Sequence, residues 1–482
     1  MQLLDFPDEV LCKIFEYLSL FDALNAFLNI NERLNRILTS FKHQIDLTRL
    51  SYGQFIHYVE IILPILNKNH ELKMIKLGDR RTPGQIELFN KLISSPTTFE
   101  NYKHVENVVF QSIKIDELND FINEYLLKLS NLVSLSIEID YISDKDYPIL
   151  AKLIINLFNN LTNLIKLSIE IPSGLSCSSL SSSSQIQFSS LIYLKINIKI
   201  PSDLLILIQC IPNIEHLIVA TFWWSSQDQR TVKILKDIQL NSAQTTLLSK
   251  LHKFSLSINS IISFHFEEFQ QILALILSPS TTISFKFCIS NDFKPNDNLS
   301  NLINGQQWEN FLKLYNVLNN FQLSFRLMNE TDTFPIESFQ SKFFQMKNWF
   351  FSYLKFPFKN TSIFYSIPYK FKSFDIPVDK EILTNSLPLN YASTLLIYSL
   401  NDQTIDFNDF ISKYFPFVEK LLLDQLDFKE INANPLNQSS LHTVQIKNAP
   451  HIHLRNIYHL FPLINTLCIS CFSIIDENHM PR

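Results

Sequence analysis

A short phrase, apolar-x-x-apolar-x-apolar, recurs through most of this 482-residue chain, and no other feature constrains the fold as tightly. Clear copies are Leu132/Leu135/Ile137, Leu164/Leu167/Ile169, Leu191/Leu194/Ile196, Ile214/Leu217/Val219 and Leu251/Phe254/Leu256. Later copies are Phe371/Phe374/Ile376, Leu395/Tyr398/Leu400, Val418/Leu421/Leu423, Leu441/Val444/Ile446 and Ile464/Leu467/Ile469. From Leu395 the starts fall every 23 residues, whereas the earlier intervals are 32, 27, 23 and 37. The last two positions of the phrase are two apart, so in a strand they share one face. Between copies, Asp116–Leu129, Asp144–Phe158, Ser202–Ile211, Phe266–Leu277 and Asp406–Phe415 show helix-like apolar spacing bounded by polar, Ser or Pro residues. Strand alternating with helix implies an α/β chain whose strands form a parallel sheet with helices on its outer side. One such unit cannot bury its own apolar face, so stacked units must share a core.

The N-terminal stretch follows a different pattern. Pro7 suits a first helical position, where its missing N–H costs nothing, and Asp8 and Glu9 favour the positive end of the helix dipole. Val10, Leu11, Ile14, Phe15 and Leu18 then form one wide apolar stripe, with Lys13 and Glu16 outside it. Leu24, Phe27 and Leu28 mark a second helix, and Leu34, Ile37 and Leu38 a third, with Asn31 as its candidate cap. Three helices in under about fifty residues bury only a modest core, so surplus apolar surface is expected to meet a partner or a neighbouring domain. A simple cap over the following domain is the alternative.

Leu4 to Leu38 resembles the F-box, the helical motif by which substrate receptors attach to the adaptor of cullin-based SCF ubiquitin ligases. Phe6-Pro7, Glu9, Ile14-Phe15, Leu18, Leu24, Ile30 and Leu34 stand at its motif positions, with Phe6 where Leu is usual and Leu34 where Trp is frequent. The resemblance implies that Phe6, Pro7, Glu9, Val10, Leu11, Ile14, Phe15, Leu18, Leu24, Ile30 and Leu34 face the adaptor or pack beneath that face. The recurring phrase resembles the leucine-rich repeat, although that family's Asn or Cys after the third apolar position is mostly replaced, by Asp140, Pro172, Lys199, Phe222 and Ala449. Only Asn259 fits. The expected architecture is thus a three-helix F-box-like unit at 1–48, a linker and entry at 49–104, and an irregular leucine-rich solenoid at 105–482 with parallel strands and helical returns. Two loops interrupt it, a Ser-rich one near 172–184 and a polar one near 291–300.

Composition narrows the function more by exclusion than by indication. Forty-one basic and 46 acidic residues leave a net charge of −5, which argues against general coating of nucleic acid or membrane. An acidic start lacks the features of a secretory signal, and the apolar stretches are too short for a bilayer span. Six cysteines make no dense disulfide framework, so cytosol or nucleus is expected. Five isolated glycines assemble neither a dinucleotide fingerprint nor a P-loop, and no nucleophile elbow is present. The single CxxC at Cys468–Cys471 would, in a strand, point its sulfurs to opposite faces, and His451 and His453 have no evident further ligands. His265-Phe266-Glu267 lies too far from that CxxC to build a zinc-deaminase site. Lysines interleave with aromatics between Phe334 and Phe374, as in single-strand binders, but the Phe spacing suits a buried helix followed by strands.

No catalytic residue, metal site or cofactor is therefore expected. Substrate contact is assigned to residues interleaved between the core positions, Lys166, Glu170, Tyr193, Lys195, His216, Lys420, Asp424, Gln445 and Lys447, with Trp223 and Trp224 as aromatic anchors. Their mixed charge fits a protein target better than a polyanion. The resemblances together imply a non-catalytic substrate-recognition subunit of an SCF-type ligase, with an adaptor, a cullin reached through it, and an unidentified target protein as partners. A leucine-rich interaction scaffold uncoupled from ubiquitylation is the alternative.

Overall fold

The computed structural model describes residues 5–328 apart from 19, 28–29, 40–43, 49, 63–71, 79–83, 94–101, 103, 141, 144, 179–187, 226–227, 242–246 and 294–301, and beyond these 336–356, 361–367, 373–377, 394–398, 418–424, 441–449 and 463–471. The chain divides into two compact units, 1–283 and 284–482.

The first unit opens with three helices, α1 (Asp8–Tyr17), α2 (Leu20–Phe27) and α3 (Glu32–Thr39). Eight strands follow, β1 (Gln44–Asp46), β2 (Met74–Gly78), β3 (Asn107–Gln111), β4 (Ser134–Glu138), β5 (Lys166–Glu170), β6 (Tyr193–Ile198), β7 (His216–Ser225) and β8 (Lys253–Ser263). Each pairs in parallel with the next. Helices accompany most strands, α4 (Tyr52–His57, continued by a π turn over Tyr58–Ile62), α5 (Gln85–Ile93), α6 (Ile115–Glu124), α7 (Tyr147–Asn160), α8 (Pro201–Cys210), α9 (Gln229–Asn241) and α10 (Phe266–Ile276), while the described residues between β5 and β6 form none. Their apolar stripes turn inward, as with Ile115, Leu118, Phe121 and Ile122 of α6.

Register explains the recurring phrase. Ile75, Val108, Leu135, Leu167, Leu194, Leu217 and Phe254 are successive partners, as are Leu77, Phe110, Ile137, Ile169, Ile196, Val219 and Leu256. All fourteen are buried, each contributing about 2 kcal/mol. The first apolar position, as in Leu132, Leu164, Leu191, Ile214 and Leu251, closes the turn before each strand and is equally buried.

Two sequence expectations differ from the structure here. The sheet starts before residue 105, because Leu72/Ile75/Leu77 and Val105/Val108/Phe110 are further copies of the phrase and α4, β2 and α5 fall within 49–104. The Ser-rich stretch is packed where it is described: Leu175 bridges to Ile198 in parallel, and Cys177 is fully buried. Gly174 permits this with a φ of +74°, and a Cβ there would stand 2.3 Å from the Ile198 carbonyl oxygen. Where the family's post-strand asparagine is missing, as read from the sequence, side chains upstream of the strands bond across repeats. Asn163 and Asn213 donate to the carbonyls of Ser130 and Ser189 at 2.9 and 2.8 Å, and Thr281 donates to Ser249 at 3.0 Å, each bridging neighbouring repeats.

The second unit departs from a uniform parallel order. Strands β9 (Ser284–Phe293) and β10 (Asn320–Met328) pair in parallel, with α11 (Gly305–Leu312) between them in sequence. Asn291–Phe293, expected in a loop, continue β9, and 294–301 lie outside the described residues. The aromatic segment then forms a short helix, α12 (Lys342–Met346), and an antiparallel pair, β11 (Phe350–Phe356) and β12 (Thr361–Ile367), with β12 antiparallel to β10. Its rings build a core: Phe364 meets Phe339, Phe351 and Phe325 at 4.7, 5.5 and 5.8 Å. Phe339, Phe344, Trp349 and Phe364 are buried, in keeping with the core reading, whereas Phe350 is exposed.

Parallel order resumes in a five-stranded sheet, β13 (Ser373–Pro377), β14 (Thr394–Tyr398), β15 (Lys420–Asp424), β16 (Thr443–Ala449) and β17 (Thr466–Cys471). Leu395 pairs with Leu421, not Val418, so it holds the second position of the phrase and the copy starts three residues earlier than its spacing from Val418 implies. Equivalent positions Phe374, Leu395, Leu421, Val444 and Leu467 are 21, 26, 23 and 23 residues apart. The run Leu395-Leu396-Ile397 is apolar throughout and masks the period of two. The helix expected over 406–415 lies outside the described residues.

Asp203 on α8 is fully buried and accepts the backbone N–H of Cys177 at 2.7 Å and of Ile200 at 3.3 Å, so one carboxyl caps the helix and fastens the packed part of the Ser-rich stretch. Burial pushes it from the ordinary 3.8 up to about 6, against the opposing pull of these two N–H groups. The folded state therefore binds the extra proton between these values, and stability falls as pH rises through that window. Wild type is expected to lose roughly 2 kcal/mol more than Asp203→Asn between pH 4 and 6.5, read from urea unfolding at both pH values.

Candidate functional site

The N-terminal helices position their apolar residues in two layers. Pro7 caps α1, and its carbonyl accepts the N–H groups of Val10 and Leu11, both at 3.1 Å. Leu11, Phe15, Leu24 and Leu34 are buried, with Ala23, Ile37 and Leu38, and Phe15 meets Phe27 with ring centres 5.1 Å apart. These four assigned residues thus form the interior that carries the outer face. Val10 and Leu18 are each 38% exposed and Ile30 62%, while Pro7 and Glu9 are exposed and Phe6 and Ile14 half-buried.

Val10, Ile14 and Tyr17 recur at helical spacing, so the outer stripe of α1 includes a residue that the motif positions do not name. Tyr17 is 89% exposed, and its place at i+3 from Ile14 was a readable signal. Arg33 is the second omission. Its guanidinium donates to Asp8 Oδ1 at 2.7 Å and to the Phe6 carbonyl at 2.6 Å, so α3 holds the start of α1. Asn31 accepts the Arg33 N–H at 2.7 Å and caps α3 as expected. Beyond the helices, His57 Nε2 lies 3.1 Å from Asn25 Oδ1, and α2 rests on the π turn after α4.

The strand face carries the other candidates. Lys166 on β5, Tyr193 on β6 and His216 on β7 are successive register partners, and Lys253 on β8 continues the row. Tyr193 and His216 rings lie 6.3 Å apart. Desolvation, then the neighbouring Lys253, holds His216 below the usual imidazole range. Lys195 bonds Glu170, so that pair is mutually neutralised. Trp223 is 38% exposed and packs edge-on against Phe222 at 5.1 Å. Trp224 is a correction: it is fully buried against Phe264 and Phe269 and cannot contact a target from the surface. In the second unit Lys420 and Gln445 are half-buried, and Asp424 and Lys447 are register partners on β15 and β16.

Cys468–Cys471 lies in β17, His265 precedes α10, and His451 and His453 lie outside the described residues. Among the described residues no group of three or more His, Cys, Asp or Glu side chains is placed to hold a metal ion, and no helix is long and apolar enough to cross a membrane.

The F-box domain family matches residues 3–44. This segment is an F-box domain. The chain therefore joins an F-box domain to parallel strands alternating with helices. F-box domains generally bind the adaptors of SCF complexes, and F-box proteins with such repeats are typically non-catalytic. Among solved structures, a leucine-rich-repeat protein of Leptospira interrogans aligns at 12% identity over 90% of this chain and 86% of its own, with a TM-score of 0.21. A likeness that weak adds no argument. No curated protein matches the chain.

Removing the Arg33 guanidinium should release the start of the F-box. Arg33→Ala is expected to cost about 1–2 kcal/mol locally, seen as faster hydrogen exchange at Val10 and Leu11, with exchange in β4–β7 unchanged.

Proposed function

We propose that this protein is the substrate-recognition subunit of an SCF-type ubiquitin ligase. The observation that supports this best is the division of the F-box into a closed interior, Leu11, Phe15, Leu24 and Leu34, and an uncovered apolar stripe, Val10, Tyr17 and Leu18, flanked by Pro7 and Ile14. A helix that served only as a cap would turn that stripe inward. The adaptor takes this stripe, with Phe6, Glu9 and Ile30 at its margins, and a cullin is reached through the adaptor. The repeats hold a target protein on their strand faces. Ubiquitin transfer belongs to partner subunits; this chain supplies proximity by raising the effective concentration of target lysines near a charged enzyme. It needs no cofactor, and it works in cytosol or nucleus.

Size-exclusion chromatography with an SCF adaptor tests the docking step. Wild type should co-elute stoichiometrically, and Val10→Glu/Leu18→Glu should lose about a hundredfold in affinity while melting like wild type, because both side chains are already exposed. Leu11→Ala, in contrast, should destabilise the F-box by about 2–4 kcal/mol. Absence of a wild-type complex would sink adaptor docking. A complex that captures targets without supporting transfer in a reconstituted ligase would leave the scaffold alternative standing.

A further inference from the structure

The strand face of the first unit separates its charges by row. Lys166, Tyr193, His216 and Lys253 line up across four neighbouring strands. The row continues through Ser134, Asn107, Met74 and Gln44, so no carboxylate stands in it on any of the eight strands. Lys166 and Lys253 are exposed, and among the described residues neither has a carboxylate partner. The acidic groups nearby are already engaged or distant. Glu215, just before the row, sits 3.8 Å from His252. Glu170 is bonded to Lys195, and with Glu138 it belongs to a row four residues further along the strands, about 13 Å away.

We propose that the row Lys166, Tyr193, His216 and Lys253 is a docking surface for a short, extended, acidic segment of a partner protein. This deepens the receptor reading and rests on it for the partner's being a target. The row spans three strand spacings, about 14 Å, which about four residues of extended chain cover. Carboxylates about four residues apart would reach both lysines, and Tyr193, between them in register, offers a hydroxyl donor. Desolvation first, then Lys253 and more weakly Lys166, hold the His216 imidazole below its usual range, with Glu215 opposing them. A long polyanion fits less well, since it would run on to Glu138, Glu170 and Glu215, and the Tyr193 and His216 rings are half-buried and offer little stacking surface.

Fluorescence anisotropy at low salt tests the row, using the full chain with a labelled Glu/Ser peptide of about ten residues, its Lys/Ser counterpart and a single-stranded DNA of about ten nucleotides. The Glu/Ser peptide should bind and the Lys/Ser peptide should not. Lys166→Glu/Lys253→Glu should weaken the acidic peptide about tenfold and gain the basic one, whereas Lys166→Arg/Lys253→Arg should keep wild-type preference. Failure of the Glu/Ser peptide to bind, equal binding by the reversed variant, or tighter binding of the DNA would overturn the proposal. Adaptor co-elution is read on the same samples. Its retention in the reversed variant ties the loss to the row, and its absence alongside peptide binding would defeat the receptor reading while leaving the row intact.

Discussion

Cohesion of the first unit depends on one repeated arrangement: two apolar side chains per strand, aligned in register with the pair before and the pair after. No strand of five residues can cover those side chains itself, and helical returns cover only one flank. Backbone pairing fixes the register, so the Leu135 and Ile137 layer cannot slip against Leu167 and Ile169 without turning both toward water. Irregular return lengths are tolerated for the same reason. The turn before each strand is tied to its predecessor by a main-chain bond, as in Ile165 N–H to Val133 and Ile192 N–H to Ile165, both at 2.9 Å, whatever lies between. Asn163, Asn213 and Thr281 reinforce the same place. Each links its repeat to the one before it.

Much of this was legible in the chain. The N-terminal motif and the phrase at Leu135, Leu167, Leu194 and Leu217 carry their own spatial meaning, because spacing alone decides which side chains share a face. Legibility failed where that spacing was masked or interrupted. Around Leu395 a continuous apolar run concealed which residue pairs with Leu421. Pairing direction between β10 and β12 was not readable, since antiparallel and parallel strands of Phe-rich sequence look alike. Strand β2 was assigned to the linker although Leu72/Ile75/Leu77 carries the phrase at an interval like the later ones.

The candidate faces were less legible than the fold. Sequence grouped Leu11 and Val10 together as one stripe, yet one is the interior and the other the surface. Trp223 and Trp224 were assigned together as anchors, although neighbours in a strand point to opposite faces and Phe264 and Phe269 cover the second. Long-range partners were invisible: nothing local to Arg33 announces Asp8 or the Phe6 carbonyl, and nothing local to Asp203 announces Cys177.

The seating of α2 on the π turn, with His57 beside Asn25, packs the F-box against the first repeats. From there β6 stands five strand spacings from β1, about 24 Å along the sheet. For a receptor this makes the chain a ruler. A target lying on that row would be presented at a set offset from the adaptor, and modification would select lysines by their distance and bearing from the docked segment, with neighbouring sequence playing no part in the choice.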